Sequence, residues 1–284
     1  MLKQNERIIK EYSAIGDKLY YHHTITDAIG KSYSNEPSAH TQHEVLYLLS
    51  GELTYVIEGE TYRVKKGDMI FVAPNEIHVL NIDGTKPYER IVLLFDMGIL
   101  HGIMKALGTE LRAFSYDGKN EFHIIKSEYV RRHRLDKILT EITETDIDAK
   151  YKKLDIIARL ISFVTEIDRA ISEGDGFKSP DRRDTLVGDV IGYVDRHIDE
   201  KIKLDELAEE LFISKSTLCH KFATVMNVSL GRYITIKKMY HAHELMKSGI
   251  SAHAAADAVG YENYTSFFYN YKKIMGRSPT SSHR

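Results

Sequence analysis

The chain has no tryptophan and only one cysteine, Cys219, among its 284 residues. A single cysteine excludes an intrachain disulfide, so packing must stabilise the fold. The longest strongly apolar run, residues 91–95, is far too short to cross a bilayer, and residues 1–7 lack the apolar core of a signal peptide. These absences argue against a disulfide-rich secreted domain and a membrane span, and we expect a cytoplasmic protein.

An overall excess of positive charge is also missing, since the formal net charge is −2. The charge is unevenly distributed, however. From Leu211 onward the chain has ten Lys and Arg and three Asp and Glu, a net charge of +7. The preceding residues include 29 Lys and Arg and 38 Asp and Glu, a net charge of −9. Attraction to phosphate is therefore confined to the C-terminal end. The length and a hydrophobic fraction of 43% allow two globular domains.

Residues 205–284 contain two copies of a short helix, a tight turn and a second helix. In the first copy Leu218 and Phe222 lie four residues apart and share one face of a predicted helix. In the second copy Phe267 and Tyr271 form the same inward pair, after an Asn263 that can cap the helix. This is the plan of a helix-turn-helix unit, whose second helix contacts DNA.

The flanking segments support both units. Residues 205–211 and 251–259 predict the first helix of each unit, and Gly260 suits the left-handed turn after the second of these. Asn227 and Gly276 each follow the inward pair by five residues and are expected to end the recognition helices. Residues 233–247 predict a helix that joins the two units.

Residues from about 185 onward resemble the DNA-binding domain of the AraC/XylS family of bacterial transcription regulators. The residues that carry the resemblance occur in order across both units and include Leu207-Ala208, Ser214, Leu218, Phe222, Ser229, Tyr233-Ile234, Ala256, Val259-Gly260-Tyr261, Phe267, Tyr271-Lys272, Gly276 and Ser278-Pro279. The resemblance implies that outward residues of the recognition helices contact promoter or operator DNA, namely Lys215, Ser216, Thr217, Cys219, His220, Tyr264, Thr265, Phe268, Tyr269 and Lys272. His220 and Tyr269 replace the Arg that is common at the base-reading positions, and Lys215 and Lys272 are expected to contact phosphate.

Residues 17–97 contain short runs rich in Val, Ile and Tyr between turn residues, which predicts a β-sandwich or β-barrel. The predicted strands are residues 19–26, 45–49, 53–58, 61–64, 69–72 and 90–95. Residues 40–51 and 67–78 resemble the cupin barrel found at the N-terminus of many AraC-type regulators. We therefore expect an α+β chain with an N-terminal cupin-like β-barrel, two following helices and a C-terminal all-α double helix-turn-helix domain.

The resemblance implies a small-molecule effector in the barrel, possibly a sugar or a related metabolite. The expected contacts lie on strands in or near the cupin-like segments and are His22, His40, Glu44, Tyr55, His78 and Arg90. Strand alternation puts Glu44, Leu46 and Leu48 on one face, which the family pattern directs inward. A structural role for each residue remains the alternative.

Metal-using cupins bind their ion through two histidines, a glutamate and a later histidine. Here His40, Glu44 and His78 match three of those positions, and Ser38 occupies the fourth. The match is partial, and the barrels of the regulators generally bind organic effectors. We therefore expect a hydrogen-bonding pocket with no metal and no cofactor.

Residues 127–145 and 149–171 predict two helices after the barrel, and the second has an apolar stripe. Packing against the barrel and dimerisation are both open uses of that stripe, and the resemblance implies a homodimer. Residues 172–184 collect Gly, Ser and Pro and predict a linker. The expected domains are thus an effector-binding and dimerisation domain, residues 1–171, and a DNA-binding domain, residues 185–284.

The expected function is transcription regulation through DNA binding under the control of a small effector, with no catalytic residues. One alternative is a metal-dependent cupin enzyme, which would use His40, Glu44 and His78 but leave the C-terminal domain without a role. Another is a DNA-binding protein without an effector.

Overall fold

A computed structural model describes residues 6–16, 18–111, 114, 123–144, 148–174 and 176–280. The sequence features noted at residues 1–5, 145 and 281–284 lie outside these ranges. Within them, no helix is long and apolar enough to cross a membrane. The described chain forms a two-domain α+β structure, with a sheet-rich N-terminal part and a helical C-terminal part.

The N-terminal part is built from two antiparallel sheets. Its strands are β1 (Glu6–Ala14), β2 (Leu19–Thr26), β3 (Tyr33–Ser34), β4 (His43–Ser50), β5 (Leu53–Ile57), β6 (Glu60–Val64), β7 (Met69–Val72), β8 (His78–Ile82), β9 (Tyr88–Phe95), β10 (Ile124–Ile125), β11 (Phe177–Lys178) and β12 (Arg182–Arg183). One sheet has seven strands in the order β1-β2-β9-β4-β7-β10-β11, and the other has five in the order β12-β6-β5-β8-β3.

The two sheets stack as a sandwich, and the expected closure into a barrel is wrong. In the described residues no ladder of hydrogen bonds joins one sheet to the other. Late segments of the chain, β10 to β12, extend one edge of each sheet. Strand alternation alone specifies which residues face inward and does not distinguish these two architectures.

The helices are α1 (His101–Leu107), α2 (Ser127–Arg132), α3 (Leu135–Glu141), α4 (Ala149–Glu173), α5 (Thr185–Arg196), α6 (Leu204–Glu210), α7 (Lys215–Met226), α8 (Leu230–Lys247), α9 (Ala252–Ala258) and α10 (Tyr264–Met275). A 3-10 turn at Met97–Ile99 precedes α1. The single helix expected over residues 127–145 is two helices, because the chain turns at Arg134 with φ 56°. The segment expected to be a linker, residues 172–184, carries β11 and β12, which pair with N-terminal strands.

Two apolar layers hold the N-terminal part together. Between the sheets lie Leu46, Leu48 and Tyr55, each at most 1% exposed, which confirms the inward face expected for β4. The outer face of the larger sheet packs against α2, α3 and α4, where Phe163 and Ile167 of α4 are fully buried. Packing of α4 on the sheets is therefore confirmed.

The C-terminal helices pack against the five-stranded sheet as well as against one another. Val56 and Val79 of that sheet belong to the same apolar core as Val187 and Val190 of α5. Gly59, at φ 81°, allows this approach, since an added Cβ would lie 2.7 Å from the Val187 side chain. Any side chain at residue 59 would thus push the sheet and α5 apart.

A polar cluster of Glu58, Asp195, Tyr233 and Lys237 lies at this contact and is called the Glu58 cluster below. The Tyr233 hydroxyl donates to the Glu58 carboxylate, and Lys237 Nζ lies 3.3 Å from both Glu58 and Asp195. Glu58 also accepts a hydrogen bond from the Ile77 backbone N–H at 2.9 Å. One carboxylate therefore joins the β5–β6 turn, the start of β8 and helix α8.

We predict that Glu58→Gln lowers the free energy of unfolding of the full chain by roughly 2 kcal/mol, because it leaves a mostly buried Lys237 with less compensation. Urea unfolding measures the change. Glu52→Gln is the matched control, since the Glu52–Lys86 pair at 2.9 Å is largely exposed and should cost below about 1 kcal/mol. Equal losses in the two variants would contradict a stabilising role for the contact.

Candidate functional site

Four of the six expected effector contacts form one hydrogen-bonded group between the sheets. His40 Nε2 lies 3.0 Å from Glu44 Oε2, and His78 Nε2 lies 3.9 Å from the same oxygen. The other Glu44 oxygen accepts a hydrogen bond from the Tyr55 hydroxyl at 2.8 Å. The Ser38 hydroxyl lies 2.9 Å from His78 Nε2. This group, at one end of the interlayer space, is called the Glu44 cluster.

Glu44 carries a negative charge in spite of its burial. Burial alone would raise its pKa, but the His40 hydrogen bond and the neighbouring imidazoles outweigh burial and lower the pKa to about 2. Burial opposes a charge on His40 too, yet Glu44 raises its pKa overall. Burial lowers the pKa of His78, so this imidazole stays neutral. The Glu44 cluster therefore presents a fixed carboxylate flanked by two imidazoles.

The remaining two expected contacts, His22 and Arg90, lie on the inner faces of β2 and β9. Arg90 forms an ion pair with Glu6 at 2.8 Å and lies 5.0 Å from the Tyr88 ring centre. Burial and the Arg90 charge lower the pKa of His22, which keeps its imidazole neutral. In the register of the sheet, Thr24 lies opposite Arg90.

Three polar atoms on these two strands are buried without a hydrogen-bond partner in the described part of the chain. They are His22 Nδ1, Thr24 Oγ1 and the Tyr88 hydroxyl. A buried polar group without a partner costs on the order of 1–3 kcal/mol, so natural cores rarely keep several together. Such a group of atoms is suited to a polar ligand that supplies the missing bonds.

All six expected contacts are thus on the interlayer side of the sheets, in two neighbouring groups. Sequence reasoning missed Thr24, Tyr88 and Ser38. The signal for the first two was available, because each lies two residues from an expected contact and so faces the same way. Ser38 was noted only as a substitution at a ligand position.

The first helix-turn-helix unit has the expected geometry. The Ser214 hydroxyl caps α7 by accepting from the Thr217 backbone N–H at 3.2 Å. Leu218 and Phe222 are buried, and Asn227 ends the helix at φ 51°, as expected. Lys215, Ser216, Thr217 and His220 are exposed and Cys219 is half-buried. Lys215 Nζ lies 2.9 Å from Asp205 of α6.

The second unit repeats this arrangement with one correction. Asn263 caps α10 through the Ser266 backbone N–H at 3.1 Å, and Phe267 and Tyr271 are fully buried. Thr265, Tyr269 and Lys272 are exposed and Phe268 is half-buried. Tyr264, expected to face outward, is half-buried, because its ring stacks on His253 with centroids 3.7 Å apart.

Buried polar contacts fix the two units relative to each other. Lys238 of α8 donates to the carbonyls of Ile198, Glu200 and Val259, which belong to the loop after α5 and the end of α9. His243 of α8 is bonded to the Tyr271 hydroxyl of α10 at 2.7 Å. The connecting helix α8 therefore holds α10 and the α5–α6 loop in a defined arrangement.

Two protein-family models match the chain. The model described as an AraC-like ligand binding domain matches residues 22–144, and the model described as a helix-turn-helix domain matches residues 207–284. Together they span more than two thirds of the chain. Their order along the chain is the order of the sandwich and of the double helix-turn-helix unit.

Relatives of similar length were also found. The chain is 21% identical over 276 residues to the uncharacterized HTH-type transcriptional regulator YdiP of Escherichia coli strain K12, covering 89% of this chain and 84% of that protein. It is 20% identical over 275 residues to the Msm operon regulatory protein of Streptococcus mutans, covering 96% and 95%. Among solved structures, ToxT from Vibrio cholerae O395 aligns over 98% of this chain and 97% of that chain with 12% identity and a TM-score of 0.39.

We predict opposite effects for two inward tyrosines. Tyr88→Phe should raise the ligand-free unfolding free energy by about 1 kcal/mol, because it removes a buried hydroxyl without a partner. Tyr55→Phe, the matched control, should lower it by a similar amount, because it removes the hydrogen bond to Glu44. Chemical denaturation measures both. Destabilisation by Tyr88→Phe would show that its hydroxyl is already satisfied.

Proposed function

This chain belongs to the AraC/XylS family of transcription regulators, and we propose that a small polar effector bound between its sheets controls how its two recognition helices bind promoter or operator DNA. The observation that carries the proposal is the group of buried, unpartnered polar atoms at His22, Thr24 and Tyr88 beside Arg90 and the Glu44 cluster. The same chain has two capped helices with exposed polar faces. Its role is regulatory rather than catalytic, and its place is the cytoplasm, where bacterial promoters lie.

The chemistry of the pocket favours an uncharged or zwitterionic molecule rich in oxygen, such as a sugar or a related metabolite. Glu44 supplies a carboxylate acceptor and Arg90 a guanidinium donor, and each is already paired within the protein. A strongly charged ligand would have to break one of these pairs. A ligand with several hydroxyls can instead bond His22, Thr24 and Tyr88 while packing on the ring of Tyr88.

A route from the pocket to the helices runs through the backbone of two pocket residues. His78 follows Ile77, whose N–H is bonded to Glu58, and His40 follows Ala39, whose carbonyl accepts from the Tyr240 hydroxyl of α8. Glu58 in turn accepts a hydrogen bond from Tyr233, which lies on α8 two helical turns before Tyr240. Movement of either imidazole on effector binding would therefore alter the contacts of α8, which orients both helix-turn-helix units.

The test is a thermal-shift panel of sugars, sugar acids and aromatic acids on the full chain, followed by calorimetry on any hit. A saturating effector at a hundredfold excess over its dissociation constant should stabilise the protein by about 2.7 kcal/mol. Glu44→Ala, His78→Ala or Arg90→Ala should weaken effector binding by on the order of 1.5–3 kcal/mol and leave effector-free DNA binding nearly unchanged. Unaltered effector affinity in all three variants would overturn this pocket assignment.

The recognition helices should enter successive major grooves about 34 Å apart, because α8 fixes their separation. We predict that His220→Ala or Tyr269→Ala relaxes sequence preference by roughly 1–3 kcal/mol, since both side chains are exposed at base-reading positions of the family. Lys272→Ala should instead weaken all sequences alike and lower the salt slope by about one unit. Lys215 should behave like Lys272 once it exchanges Asp205 for phosphate.

Competition binding to specific and random DNA at several salt concentrations separates these roles. If His220→Ala and Tyr269→Ala lost both kinds of DNA equally, neither residue would read bases. Specificity would then come from other residues or from the shape of the DNA.

We propose a homodimer formed through the outer face of α4. Leu154, Ala158, Ile161 and Thr165 recur there at alternating spacings of four and three, the repeat of a helix–helix seam. Leu154 is 65% exposed although the opposite side of α4 is fully buried. A second copy of α4 would cover this stripe.

Leu154→Glu should convert the dimer to a monomer, because it places a charge in the apolar seam. Leu107→Glu is the matched control, since Leu107 is 69% exposed on α1 and lies away from the seam. Sedimentation equilibrium measures the mass of each variant. A dimer that persists in Leu154→Glu would exclude this interface.

The domain boundaries are also proposed from this arrangement. Residues 1–171 bind the effector and form the dimer, residues 172–184 connect, and residues 185–284 bind DNA. The supporting observation is that buried residues of α5, α6, α7 and α8 belong to one apolar core. The connecting residues nevertheless add strands to both sheets, so they hold the domains close rather than apart.

A further inference from the structure

The two helix-turn-helix units have separate apolar cores. Buried residues of α5, α6, α7 and the N-terminal part of α8 belong to one core, and those of the C-terminal part of α8, α9 and α10 belong to the other. Among the described residues, the half-buried Ile274 and Met275 pack against both cores. Helix α8 passes through both as a rod of 18 residues, about 27 Å long. Apolar packing therefore connects the units mainly through this one helix.

A polar junction joins the units beside the middle of α8. Lys238 is 6% exposed. Its Nζ donates to three backbone carbonyls, those of Ile198, Glu200 and Val259. The first two belong to the loop that leads into the first unit, and the third follows α9 of the second unit. Burial lowers the pKa of Lys238 to about 8, so this side chain is still an ammonium at neutral pH, with one hydrogen for each carbonyl.

Backbone also lies directly against backbone at this junction. Gly260, at φ 74°, is in the turn of the second unit, and a Cβ added to it would lie 2.6 Å from the carbonyl carbon of Glu200. A hollow of about 400 Å³ opens beside this contact and is lined in part by Ile202, Ile234 and Tyr261. Close packing between the units is thus confined to a small area, in which Lys238 is the buried charged group.

The separation of the units matters because the recognition helices must reach two sites on one duplex. Adding one base pair moves the second site by about 3.4 Å along the axis and about 35° around it. Without the Lys238 ammonium, three buried carbonyls from both sides of the junction would lose their donor, which is unfavourable unless they reach water. The units would then separate, and α10 would change its angle to α7.

We propose that Lys238 is a positioning residue that fixes the distance and angle between α7 and α10, and thereby limits the chain to one spacing of the two DNA segments that these helices contact. This role rests on the proposed function, because it requires both helices to bind DNA. It adds a determinant of specificity whose hydrogens are all used inside the protein, so Lys238 acts without touching DNA.

The first test measures the distance between the helices without DNA. Cys219→Ser removes the single cysteine, and Ser216→Cys with Thr265→Cys places one spin label on each recognition helix. Pulsed electron paramagnetic resonance on full-length chains, diluted with unlabelled protein to isolate distances within one chain, should give one narrow distribution. Lys238→Met should broaden or shift it by about 3.4 Å, one base-pair step.

Lys201→Met is the matched control for this measurement. The Lys201–Glu262 pair, at 2.9 Å, crosses the same junction, but its side chains are 61% and 78% exposed. An exposed pair contributes little to the geometry, so Lys201→Met should leave the distance distribution unchanged.

The second test measures spacing on DNA. Wild-type full-length protein selects its site from a pool of random sequences, and one base pair is then inserted or deleted between the two selected segments. Wild type and Lys201→Met should lose affinity by about 10-fold or more, because one helix no longer meets its bases. Lys238→Met should lose less than about threefold, because its α10 can follow the displaced segment.

Circular dichroism shows which variants are folded, and Lys238→Gln, which keeps two hydrogens, replaces Lys238→Met if that variant does not fold. Wild-type distance distributions and spacing profiles in a folded Lys238 variant would overturn the proposal. Failure of both variants to fold would also overturn it, since Lys238 would then stabilise the whole domain. A wild-type protein that selects no DNA would instead overturn the proposed function, while the label distances would still test Lys238.

Discussion

The structure depends above all on one carboxylate, Glu58, at the meeting of the sandwich with the C-terminal helices. Glu58 lies in the turn between β5 and β6 at φ 42°, and it bonds Tyr233, Lys237 and the Ile77 N–H. A carboxylate that is largely removed from water is costly unless its lone pairs are used, so these partners stabilise it together. The contact therefore specifies one relative position of the two domains, which apolar packing of α5 on Gly59 alone would not do.

In the proposed function, that fixed position is what lets the pocket influence the helices. Ile77 and His78 are adjacent, and strand alternation sends the Ile77 side chain into the interdomain core while His78 faces the Glu44 cluster. Ala39 and His40 repeat the arrangement, with a carbonyl bonded to Tyr240 of α8. Two short segments thus contact the pocket on one side and α8 on the other. In the proposed function, movement of His40 would reach α8 directly through Ala39, and movement of His78 would reach it through Ile77 and Glu58.

Local patterns in the sequence predicted the helical domain well, because caps and turns are specified by single residues. Asn227, Asn263 and Gly276 each lie at the helix end that was expected for them. The sandwich was predicted only in part. The sequence analysis did not predict β1 and β8. Strands β10 to β12 have two residues each and form by pairing with distant segments, which no local sequence pattern predicts. Strand alternation also does not distinguish a closed barrel from the observed sandwich.

For the residues around the proposed effector site, strand alternation predicts which side chains face inward, whereas packing determines which of them form hydrogen bonds. Alternation along β2, β4 and β9 is enough to direct His22, Glu44 and Arg90 inward. It does not show which inward groups are paired, so the contrast between a bonded Tyr55 and an unpartnered Tyr88 emerges only in three dimensions. Several buried polar atoms without partners lower stability, and apolar residues of similar size would remove that cost. The proposed effector would account for their presence in the core, since a bound molecule that completes their hydrogen bonds would offset this loss of stability.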